Sequence, residues 1–135
     1  MSETPRVLLA AESLPYRRVI REALTAFRHC EVDDTPSAEH AFEMGLQRRH
    51  ALYVFALTLP DMRGDFLDRL LSKAAPLVHQ GLHAAPPIIY LLKPEEAPQW
   101  QDLARHARVR GHLFLPPRLD QLMQVTAALL PERLG

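Results

Sequence analysis

The sequence predicts an α/β fold, a three-layer (βα)5 sandwich with a five-stranded parallel sheet between two helical layers. Two observations predict it. Short apolar runs alternate with stretches whose apolar residues fall at helical spacing. Residues 51–56 form an apolar run of six, rich in β-formers, with a Pro-Asp turn signal behind it. Such a run suits a strand buried on both faces, at the centre of a parallel sheet.

In chain order, residues 6–11 (Arg-Val-Leu-Leu-Ala-Ala) read as the first strand. Ser13 then offers an N-cap, with Pro15 in the first turn of a helix, where its missing N–H costs nothing. Tyr16, Val19, Ile20, Ala23, Leu24 and Phe27 give that helix its inner stripe, while Arg17, Arg18, Arg21 and Glu22 read as a solvated face. Residues 30–33 are a short, half-polar strand suited to a sheet edge. Thr35 reads as the cap of a second helix with Pro36 at its first position, and Ala38, Ala41, Phe42, Gly45 and Leu46 face inward.

Residues 51–56 are the third strand, and Gly64 lets the chain turn sharply into a third helix. Its inner face is Phe66, Leu67, Leu70, Leu71 and Ala74, and Pro76 is expected to kink it or end it early. Residues 87–92 (Pro-Ile-Ile-Tyr-Leu-Leu) form the most strand-like run of the chain. Residues 93–98 read as a Pro-bounded loop, and 99–108 as a helix with a narrow stripe of Trp100, Leu103, Ala104 and Ala107. Residues 112–115 are the fifth strand, Pro116-Pro117 a rigid turn, and Leu119, Leu122, Met123, Thr126, Leu129 and Leu130 line the last helix. With no linker or repeat, the expectation is one domain over residues 1–135, with its core at 5–131.

Composition removes several function classes. Sixteen basic and sixteen acidic residues cancel, so no net field draws the chain to nucleic acid or a membrane. One cysteine, Cys30, forbids an internal disulfide and a Cys-rich metal site, and fits a reducing cytoplasm. No apolar stretch approaches the roughly twenty residues of a membrane span, and the N-terminus lacks the order of a signal peptide. Seven histidines give one i,i+4 pair, His79 and His83, with no acid or cysteine nearby, so no metal site is expected. Thr58 reads as a loop threonine satisfying local backbone. With no Gly-rich phosphate cradle and no Gly-x-Ser-x-Gly elbow, nothing points to an enzyme.

In open parallel sheets chemistry sits just past the carboxyl ends of the central strands. Here that end is Ala56, a methyl group. The pieces Val7-Leu-Leu-Ala-Ala-Glu-Ser13 and Leu57-Thr-Leu-Pro-Asp-Met-Arg-Gly64, the strand at 87–92 and the Leu115-Pro116 step occur in a telling order and spacing. Together they resemble the receiver domain of two-component response regulators across nearly the whole chain. The resemblance implies a flavodoxin-like receiver fold. It also implies a site in which an aspartate ending the third strand accepts a phosphoryl group and acids ending the first strand hold Mg²⁺. A Thr or Ser after the fourth strand and a Lys after the fifth bind the phosphoryl oxygens.

Carried over, the acceptor position is Ala56, the acid pair Ala11 and Glu12, the hydroxyl position Leu92 and the lysine position Leu115. The aromatic switch position falls at or next to His112. The resemblance therefore implies a degenerate pseudo-receiver that binds no Mg²⁺. The replacements are expected to fill the site with packed apolar atoms, leaving Glu12 in solvent or paired with Arg63 or Lys93.

Residues 99–118 carry Arg105, Arg108, Arg110, Arg118, His106 and His112 against one acid, Asp102. By the resemblance, the face built from the fourth helix, fifth strand and fifth helix is where receivers dimerise or dock partners. With Trp100 it reads as an interaction face for an acidic protein surface, or as a site for an anionic ligand such as a cyclic dinucleotide; the plain alternative is a solvated helix. The expected function is a phosphorylation-independent protein-interaction module in bacterial signal transduction, cytoplasmic, with another signalling protein or a second copy as partner. The chain ends at Gly135, soon after the last helix, so no DNA-binding domain is expected.

Overall fold

Across residues 4–134, which the computed structural model describes, the apolar runs become the strands of one parallel sheet. These are β1 (Arg6–Ala10), β2 (Glu31–Thr35), β3 (Leu52–Ala56), β4 (Ile88–Leu92) and β5 (Val109–Phe114), in the order β2-β1-β3-β4-β5. Every residue of β3 and β4 is buried, which is why those two runs are apolar throughout and lie inside the sheet. β2 and β5 take the edges and carry the polar residues. Each fully buried Leu, Ile or Val contributes about 1.5–3 kcal/mol.

Helices α1 (Leu14–Phe27), α2 (Ala38–Gln47), α3 (Gly64–Val78), α4 (Trp100–Leu103) and α5 (Leu119–Thr126) connect and follow the strands. α1 packs against α5 and α2 against α3, the pairing that right-handed crossovers impose on the two faces of this sheet. The three-layer (βα)5 architecture is the expected one. Ser13 caps α1 as expected, its hydroxyl accepting from the Tyr16 N–H.

Several local expectations change. β2 runs on to Thr35, and α2 is capped by Ser37, so Pro36 lies outside the helix. The Thr35 hydroxyl is instead spent on the Ser37 N–H, a local turn that competes with capping. α3 continues through Pro76 to Val78: the missing proline N–H removes one intrahelical bond, and the ladder resumes beyond it with the His79 N–H donating to the Ala75 carbonyl at 2.9 Å. The stretch 93–98 is mostly a 3-10 helix, Pro94–Gln99, and the helix expected over 99–108 shrinks to the four residues of α4. β5 starts three residues before the expected position, at Val109.

The inner stripe of α1 also differs. Val19 and Phe27 are about half exposed, and so is Phe66 of α3, whereas Arg17 is buried. Arg17 lies in line with Ile20 and Leu24, three and seven residues on, which puts it on the inward face. The arginine face of α1 is therefore only partly solvated.

Candidate functional site

The strand order reverses between β1 and β3, and a crevice opens there at the carboxyl ends of the strands. Ala11, Glu12, Ser13 and Tyr16 follow β1, Ala56 and Thr58 end and follow β3, Lys93, Pro94 and Glu95 follow β4, and Leu115 follows β5. Together they line an open cleft of about 500 Å³. Its floor is Ala11 and Ala56, both buried, with half-buried Leu115 beside them.

This corrects the expectation of a packed apolar site. Leu92 is fully buried and does not line the cleft; its carbonyl accepts from the Leu115 N–H at 2.8 Å. Two alanine methyls and one leucine do not fill the space. The cleft stays open.

Of the two alternatives for Glu12 the solvent one holds: it is exposed and has no ion-pair partner within 4.0 Å among the described residues, Arg63 and Lys93 included. Arg63 turns instead to Asp65, at 3.0 Å, and donates to the Gln99 side chain at 2.9 Å. Lys93 and Glu95 are likewise exposed and free of ion pairs among the described residues. Among the described residues, the charged groups on the rim are thus two carboxylates and one ammonium, none of them spent on the fold by an ion pair.

The loops around the cleft are held by groups that the sequence reading passed over. One nitrogen of the Arg17 guanidinium donates to the carbonyls of Ala11 and Glu12, at 2.8 and 3.0 Å, and another to Asp34 at 3.0 Å. Arg21 also donates to Asp34. Buried Glu96 accepts from the Lys93 N–H at 2.7 Å and from the Thr58 hydroxyl at 2.5 Å, joining the loops after β3 and β4. Thr58 therefore serves a side chain 38 residues away rather than its own backbone.

Asp61 accepts from Ser37, Ala38 and Glu39 and so caps α2 from the loop after β3. Burial works against its charge, yet the N–H groups of Glu39 and Ala38 and the Ser37 hydroxyl hold its carboxyl below the usual carboxylate range. Gly64 is required by close approach and not by a special turn. Its φ is not positive, and a Cβ there would lie 2.1 Å from the Ala56 carbonyl oxygen.

A second candidate surface lies along β5. The register with β4 slips between Ile88 and Ile89, so Arg110 is skipped and stands exposed at a bulge. Beyond it the Trp100 ring packs against His112, centroids 4.1 Å apart, and His112 meets Phe114 edge-on at 5.0 Å. Burial pushes the His112 imidazole below its ordinary pKa, so it is neutral at pH 7.

The arginines assigned to this face do not converge. Arg108 turns toward α3 and grips Asp68 with two bonds, at 2.6 and 3.1 Å, while also donating to the carbonyls of Ala85 and Pro86. Arg105 lies near Asp102 and Arg118 near Asp120, all exposed. Arg110 alone of the four has no carboxylate partner among the described residues. Nothing here gathers them into one anion site.

No protein-family model matches the chain, and no curated protein matches it in sequence. Solved structures do match. The receiver domain of AraT, a response regulator from Geobacillus stearothermophilus, superposes with a TM-score of 0.79 at 23% identity, over 94% of this chain and 93% of that one. The chain has the receiver fold. The signal receiver domain of an HD domain-containing protein from Pseudomonas fluorescens matches with a TM-score of 0.76 at 16% identity, over 94% of each chain. The chemotaxis response regulator CheY4 of Vibrio cholerae matches with 0.74 at 18%, over 95% of this chain and all of that one. At these identities the likeness is one of fold. Among the described residues, no helix is long and apolar enough to cross a membrane.

Proposed function

We propose that this receiver fold works without phosphoryl transfer, as a protein-interaction module in bacterial signal transduction. One observation carries the reading. Ala56, the last residue of β3, lies at the floor of the cleft where receivers place their acceptor, and a methyl group has no lone pair to attack phosphorus. The cleft suits Mg²⁺ no better: Glu12 and Glu95 are its only carboxylates, and the described residues hold no group of three potential metal-ligating side chains. Without the acceptor, or a hydroxyl at Leu92, control comes from binding or from the amount of protein.

The docking surface in this proposal is the face of α4, β5 and α5. It offers what interface centres use, an aromatic strip of Trp100, His112 and Phe114 beside the unpaired Arg110. An acidic surface with an apolar centre is the matching partner, whether another signalling protein or a second copy. Trp100→Ala is expected to weaken the complex by about 2 kcal/mol, roughly thirtyfold, and Arg110→Glu to lower mainly the association rate. Affinity capture from the source cell, followed by titration of the captured partner, measures both. Equal retention by wild type and both variants would place docking elsewhere.

A further inference from the structure

We propose that the cleft at the carboxyl ends of β1, β3 and β5 is a binding site for a small organic cation, an amine on an apolar or aromatic body. This stands apart from the docking face and does not depend on it. The volume, about 500 Å³, lies within the range of small-molecule sites, roughly 300–1,000 Å³. The floor is alkyl, from Ala11, Ala56 and Leu115, and Pro94 and half-buried Tyr16 are among the other lining residues. A ligand body that covers this floor must itself be apolar, because nothing there can hydrogen-bond through a side chain.

The rim selects the charge. The Ser13 hydroxyl accepts from the Tyr16 N–H and keeps its own proton to donate, while the Thr58 hydroxyl gives its proton to Glu96 and keeps a lone pair for a cationic head. The charged groups are Glu12, Glu95 and Lys93, and their sum is one negative charge. A cationic head is favoured by the net negative charge of the rim and gains from the aromatic ring of Tyr16 if it lies over its face. A metal ion is the poorer occupant, since the described residues bring no three ligating side chains together.

The test uses the full chain and a matched pair of probes, 2-phenylethylamine and phenylacetate, which share a body and differ in the sign of the head. Titration followed by ¹H–¹⁵N spectra is expected to give saturable shifts at Ala11, Glu12, Ala56 and Thr58 with the amine, and binding roughly tenfold weaker or less with the acid. Ala56→Phe fills the floor and is expected to abolish the shifts. If that variant fails to fold, the double variant Glu12→Gln, Glu95→Gln decides: both side chains are exposed, and the amine should bind roughly threefold to tenfold more weakly. The proposal is overturned if the amine gives no saturable shifts at these residues, if phenylacetate binds as well, or if the double variant keeps full affinity.

Discussion

Gly64→Ala is expected to destabilise the fold by about 3 kcal/mol, at the upper end of what an overpacked interior costs. The new methyl would lie 2.1 Å from the Ala56 carbonyl oxygen and 3.0 Å from its carbon. Both are main-chain atoms at the end of a central strand, so neither a rotamer change nor a side-chain shift can make room. Either β3 or the first turn of α3 must move, and the Gly64 N–H bond to the Leu57 carbonyl, 2.8 Å, moves with it. Gly45→Ala is the useful contrast, since its methyl meets the movable end of Leu71 at 2.7 Å and should cost about 1 kcal/mol. Urea unfolding of the two variants measures the difference, and equal stabilities would mean the junction is looser than its geometry.

Arg17→Ala should lose about 2 kcal/mol, because it leaves the Ala11 and Glu12 carbonyls without their guanidinium donor and removes one of two arginines from Asp34. Arg21 stays behind, so Asp34 is not orphaned and the loss stays below that of a fully broken buried pair. Arg17→Lys is the sharper probe. An ammonium keeps the charge but cannot reach three acceptors in a fork, so less than half the loss should be recovered. Thermal or urea unfolding of both variants checks this, and a lysine variant as stable as wild type would reduce Arg17 to a simple charge. The same changes should loosen the β1–α1 turn that forms one wall of the cleft.

Both residues mark what a one-dimensional reading can and cannot see. Hydrophobic runs located the buried central strands to within a residue, since burial on both faces leaves a mark on every position, while the half-polar edge strand β2 was legible only as a short break between helices. The cleft's floor was legible for the same reason: Ala56 is visibly the end of the third run. What eluded the sequence were contacts between distant segments. Asp61 capping α2, Glu96 binding Thr58 and Arg108 gripping Asp68 join residues 23, 38 and 40 positions apart, and no spacing rule links them.

The packed apolar site was a different failure, one of volume. Residue types told that the acceptor, hydroxyl and lysine positions had become apolar, but not that Leu92 lies outside the cleft and that alanines leave a hole. Arg17 was readable after all. Its spacing to Ile20 and Leu24 placed it on the buried stripe, and its charge argued it away. The short α4 loses residues 104–108 at its end and not at its start, which lies within one residue of the expectation; its narrow apolar stripe did not reveal where it stops.

The central claim is that this fold carries no phosphoryl chemistry at the end of β3. Incubation with acetyl phosphate and Mg²⁺, and in parallel with beryllofluoride and Mg²⁺, tests it most directly, read by intact mass and by the ¹H–¹⁵N spectrum of the cleft residues. The account predicts an unchanged mass and unshifted signals for Ala11, Ala56 and Thr58. A mass gain of one phosphoryl group, or beryllofluoride shifts centred on those residues, would contradict it.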